Sequence, residues 1–130
     1  MKSQNKWSKN WKSSKQVRKQ RKYRYNAPLH VKHGFVSVHL SKELRDKHKR
    51  RALPARKGDK VKILRGSFKG KSGKIENINS KQEKVYVEGI MALKRDGTKV
   101  PKALKPSNLM ILELNLDDKM RQKIIKRKIE

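Results

Sequence analysis

The chain has 130 residues, 33% of them apolar, with 38 Lys+Arg against 11 Asp+Glu and a formal net charge of +27. An ordinary domain is about 45–50% apolar, so the core is small and part of the chain is not expected to fold alone. The absence of cysteine excludes disulfides and cysteine–zinc sites, and no apolar run resembles a membrane span or a secretory leader, so a soluble, cytoplasmic protein without membrane insertion is expected.

Residues 1 to about 33 hold no acid; the first is Glu43. Lysine and arginine recur there among Ser, Gln and Asn with no helical or strand period, which predicts an extended basic arm that is disordered when free. Trp7, Trp11, Tyr23 and Tyr25 interrupt it. They suit stacking on bases and, equally, packing against the parent domain. Ser41 is placed to cap a short helix near 42–49, with Glu43–Lys47 and Asp46–Arg50 pairs at i,i+4 and only Leu40 and Leu44 on its apolar face. Residues 1–52 thus read as a basic extension with a short linking helix.

From residue 53 to 114 the pattern turns to β. Val61 and Ile63 alternate with Lys60 and Lys62 in a half-buried strand, Lys60–Leu64. A second strand, Gly73–Ile78, places Ile75 and Ile78 out of phase, the mark of a bulge or strand end. The loop between them interleaves Gly66, Gly70 and Gly73 with Arg65, Lys69 and Lys71. Asn79-Ser80-Lys81 is a turn, and Val85 and Val87 form a third strand with Tyr86 facing the other way. Met91 and Leu93 extend that strand or start a fourth; Asp96-Gly97 is a tight turn; Met110, Leu112 and Leu114 alternate in a last strand. This predicts a mainly β, SH3-like barrel of five strands or fewer, closed so as to remove exposed edges. Residues 115–130 predict a C-terminal helix from about Asp117 to Lys128, N-capped by Asn115 or Asp117, with Met120, Ile124 and Ile125 as its apolar stripe.

No catalytic constellation emerges. His30 and His33 lie three apart without nearby carboxylates, so a metal site is not expected. Gly66–Ser72 reads G-S-F-K-G-K-S, one residue too short between glycines for a nucleotide-binding P-loop, and no helix pattern follows it. What remains is binding. A charge this large repels itself until a partner supplies negative charge, and no DNA-reading motif is present, so RNA held through phosphates and shape is the expected partner.

Gly58–Ile75, GDKVKILRGSFKGKSGKI, resembles the KOW motif of RNA-associated proteins. The flanks NAPLH (Asn26–His30), SKELR (Ser41–Arg45), Arg51-Ala52-Leu53-Pro54, VEG (Val87–Gly89), and DGT followed by KPSN (Lys105–Asn108) sharpen the likeness. Together they resemble the universal large-subunit ribosomal protein twenty-four family (twenty-six in eukaryotic naming), archaeal/eukaryotic type, over about residues 16 to 128. The resemblance implies an SH3-like barrel with extensions threaded into large-subunit ribosomal RNA, early action in subunit assembly and a place near the polypeptide exit tunnel. It implies no enzyme activity and no cofactor. Its partners are the RNA and neighbouring large-subunit proteins, with targeting factors at the tunnel exit as further candidates and no homo-oligomer. Carried over by motif, the RNA-binding candidates in the barrel are Lys57, Arg65, Gly66, Lys69, Gly70, Lys71 and Gly73. The arm adds Lys19, Arg21, Lys22, Tyr25, Asn26, Pro28 and His30, and the late loop Pro106, Ser107 and Asn108. Gly66, Gly70 and the Pro-Ser-Asn run also fit plain turn chemistry. Two other classes compete: a transcription-elongation module using the KOW barrel, and a cationic membrane-surface peptide, for which the C-terminal stripe is narrow.

Overall fold

Val61 and Ile63, the alternating pair of the first β-run, are fully buried in the computed structural model, which describes residues 7–8 and 14–127. They lie on β3 (Lys60–Ile63), at the middle of a seven-stranded sheet ordered β2-β1-β7-β3-β4-β5-β6. The other strands are β1 (Ser37–Leu40), β2 (Ala52–Pro54), β4 (Ser72–Asn79), β5 (Lys84–Leu93), β6 (Lys99–Leu104) and β7 (Leu109–Glu113). Around the sheet lie α1 (Val17–Asn26), α2 (Leu29–Phe35), α3 (Lys42–His48), a 3-10 turn (Pro106–Asn108) and α4 (Lys119–Lys126). The protein is mainly β and barrel-like.

Seven strands replace the expected five or fewer. β1 carries Val38 and Leu40 into the core and pairs in parallel with β7, so the sheet begins well before residue 53. The hydrogen-bonded order is linear and leaves β2 and β6 at its ends. Pro54 and Pro101 lie on those two strands, where a missing N–H blunts pairing with another chain. Met91 and Leu93 extend β5, which continues past a register shift between Tyr86 and Met91. The bulge expected near Ile75 falls between Ile75 and Asn77.

The last strand forms where expected but in the opposite phase. Leu109 and Ile111 are buried, facing Ile63 and Val61 in register, while Met110 and Leu112 are half-buried on the other side. The run Leu109–Leu112 is apolar at every position, so periodicity alone cannot choose its face; the partner strand does.

The arm is helical over α1 and α2, although the sequence shows no period there. α1 buries no residue; its Arg, Lys and Gln are good helix formers that need no apolar stripe. The arm is tied together by aromatic contacts and to the β-domain by an ion pair. Trp7 lies 5.2 Å from Tyr23 between ring centroids, Tyr23 lies 6.3 Å from Phe35, and Arg24 pairs with Glu83 at 3.1 Å. Trp7 and Tyr23 thus pack within the protein, whereas Tyr25 is exposed. Trp11 lies outside the described residues.

Ser41 caps α3, its hydroxyl accepting from Leu44 N. Neither expected i,i+4 ion pair is among the four found in the described residues. Arg50 instead donates to Ile124 O of α4 at 2.5 Å. His48 is buried, and burial, with Lys47 beside it, holds its imidazole below the ordinary value of 6.5. The unfolded chain binds a proton near 6.5 that the folded chain resists. This contribution to stability is therefore fully present above that pH and is lost as pH falls below it. Denaturant midpoints measured between about pH 8 and 5 should decline less steeply in His48→Gln than in the parent; an unchanged slope would remove His48 from the account.

α4 is capped by Asp118, which accepts from Met120 N, rather than by Asn115 or Asp117. Its buried face is also not the expected stripe. Ile125 is buried and Ile124 packs against the core, but Met120 is 56% exposed and Arg121 is 3% exposed. Arg121 grips Asp59, which is fully buried just before β3, through two hydrogen bonds of 2.6 and 2.7 Å. Burying the carboxylate demands such a partner, and the helix turns its arginine inward to supply it.

Candidate nucleic-acid interface

The β3–β4 loop is a closed hairpin end. Ile63 N donates to Lys71 O and Gly70 N to Ile63 O, both at 2.9 Å, and Lys69 N and Lys71 N donate to Gly66 O and Phe68 O inside it. Gly66 has φ +102° and Gly70 φ +88°, and a Cβ at either would meet nothing within 4 Å. Glycine is needed there for the backbone angle, not for space. With the turn so fixed, Arg65, Lys69 and Lys71 project as exposed cations, and Lys71 Nζ lies 5.2 Å over the Phe68 ring.

The late loop joins this end. Leu64 N donates to Asn108 O at 2.8 Å, placing the 3-10 turn against the base of the hairpin loop. Ser107 is exposed beside it, Asn108 is half-buried, and Pro106 is buried, so the proline shapes the turn from within. Ser67 is likewise exposed at the loop, a polar group the motif comparison passed over.

Gly73 has a different part. A Cβ there would stand 2.8 Å from Glu88 O and 3.0 Å from Val87 Cγ1. Its role is close approach of β4 to β5. Gly73→Ala should destabilise the fold by about 1–3 kcal/mol through overpacking. Denaturant unfolding checks this; a loss as small as that of an exposed-lysine substitution would contradict it.

The remaining candidates lie elsewhere. Lys57 sits in the turn before β3, at the end of that strand opposite the glycine loop. The turn is held by Asp59, which accepts from Arg56 N and Asn115 N, and by Asn115 Nδ2, which donates to Lys57 O. Arg121 also donates to Asn115 O and Pro54 O, so α4 sets the backbone from which Arg56 and Lys57 project. Lys19, Arg21, Lys22, Tyr25 and His30 are exposed on α1 and α2, and Asn26 and Pro28 are half-buried between them. Leu29 of α2 lines a hollow with Lys57. The structure thus brings the hairpin loop and the late turn together, and leaves Lys57 at the far end of β3 and the remaining candidates along the arm. Sequence reading missed the Asp59–Arg121 pair behind the Lys57 turn. Its one legible signal is that Arg121 and Ile125 stand i,i+4 on one helix face.

Fold and charge define the class: a small, strongly basic, barrel-like β-protein. A family profile described as that of the ribosomal proteins L26 of eukaryotes and L24 of archaea matches residues 14–128, and the chain belongs to this family. The large ribosomal subunit protein uL24 of Methanosphaera stadtmanae is 47% identical over 116 residues, covering 89% of this chain and 99% of its own. That of Methanoculleus marisnigri is 50% identical over 109 residues, covering 84% and 90%. The family's role is structural, not enzymatic. Among the described residues no helix is long and apolar enough to cross a membrane.

Proposed function

We propose that this chain is a structural constituent of the large ribosomal subunit in the cytoplasm, bound to large-subunit ribosomal RNA through phosphate and shape contacts. The observation that carries the RNA contact is the hairpin loop joined to the late turn, with Arg65, Lys69, Lys71 and Ser107 exposed on adjoining segments around a glycine-set backbone. Cations on such a rigid turn suit a phosphate chain, and the net charge of +27 suits a polyanion as the partner. The exposed cations of α1 supply a second contact zone along the arm. Early action in assembly, a site near the exit tunnel, and contact with neighbouring proteins and tunnel-exit factors rest on the family resemblance alone. Co-sedimentation tests the reading. The native protein should migrate with large subunits at physiological salt, and migration free of them would refute it.

A further inference from the structure

The hollow that Leu29 and Lys57 line, of about 960 Å³, lies against the outer face of the β4–β5–β6 sheet. Val85 and Val87 of β5 point into the core, so Tyr86 between them faces outward and lines this hollow half-buried. Its cross-strand neighbours are Asn77 on β4 and Ala103 on β6, one polar and one small. Leu29 and Pro101 add apolar wall. Asn77 Oδ1 accepts from Ile78 N and Asn79 Oδ1 from Gln82 N, so each side chain engages the backbone through its oxygen and keeps its NH₂ as a donor. Lys57 and Lys81 stand on the rim against a single carboxylate, Glu76.

An aromatic side chain, amide donors and flanking cations in a hollow of this size match the chemistry of an unpaired nucleotide. We propose that this hollow takes one unstacked nucleotide of RNA, its base against the Tyr86 ring and its phosphates toward Lys57 and Lys81. This rests on the RNA-binding reading above and adds a base contact to its phosphate contacts.

The test uses the full chain at about 150 mM salt and two probes of about eight nucleotides: oligoadenylate, and an abasic ribose-phosphate oligomer of equal length and charge. Tyr86→Ala should weaken oligoadenylate about 5- to 150-fold, the measured range for loss of one stacked base, and leave the abasic oligomer unchanged. Tyr86→Phe, which keeps the ring, should bind both probes like the parent. A ratio of adenylate to abasic affinity that is the same in parent and Tyr86→Ala overturns the proposal, whether both affinities hold or both fall. Lys69→Ala/Lys71→Ala should weaken both probes alike. If it weakens neither, the phosphate-contact reading fails, while the Tyr86 ratio still decides the base site.

Discussion

Arg121→Met should cost the folded chain about 3–5 kcal/mol, because it leaves a buried carboxylate without its cation. Asp59 is fully buried and would keep only the backbone donors of Arg56 and Asn115. The same change removes the hydrogen bonds to Asn115 O and Pro54 O that seat α4. Domains of this kind are stable by about 5–15 kcal/mol in total, so the variant should unfold at markedly lower denaturant. Lys60→Ala provides the comparison. Lys60 pairs with Glu113 at 3.0 Å, but both side chains are well exposed, and such pairs contribute about 1 kcal/mol or less. If the two variants shift the midpoint equally, the buried pair is not the anchor of α4.

Replacing Lys69 and Lys71 together by alanine should lower the affinity for large-subunit RNA and flatten its salt dependence. Each phosphate contact contributes about 0.7–0.9 to the slope of log affinity against log salt, so losing two should reduce its magnitude by about 1.4–1.8. The loop itself should survive, since its turn is set by Gly66, Gly70 and backbone hydrogen bonds rather than by the lysine side chains. Near-parental circular dichroism with a reduced slope is the expected pair of results. An unchanged slope would take these lysines off the contact surface.

The glycine loop and β3 were legible because two independent patterns coincide there: valine and isoleucine alternating with lysine, then glycines among cations. β1 was not. Val38 and Leu40 alternate correctly, but the strand has four residues and its parallel partner β7 lies far along the chain, with His39 opposite Met110. Such a pairing leaves no local turn signal to read. β6 is obscured by Pro101 and by exposed Lys99 and Lys102, all compatible with a strand at the end of a sheet. The register of β7 and the inward turn of Arg121 depend on partners that only tertiary packing supplies. The motif placed Gly73 and Pro106 with the RNA contacts; in the fold one allows two strands to approach and the other is buried in its turn. Residues 1–6, 9–13 and 128–130 lie outside the described structure.

The chain has no cysteine, so a single one can carry an iron chelate without a background site. Ser67→Cys and Ser107→Cys place it on exposed positions of the hairpin loop and of the late turn, segments joined by the Leu64–Asn108 hydrogen bond. With each protein assembled onto large-subunit RNA, hydroxyl radicals should cleave one and the same RNA segment from both positions. Assembly that succeeds with no cleavage from either would show that this end of the barrel faces away from the RNA.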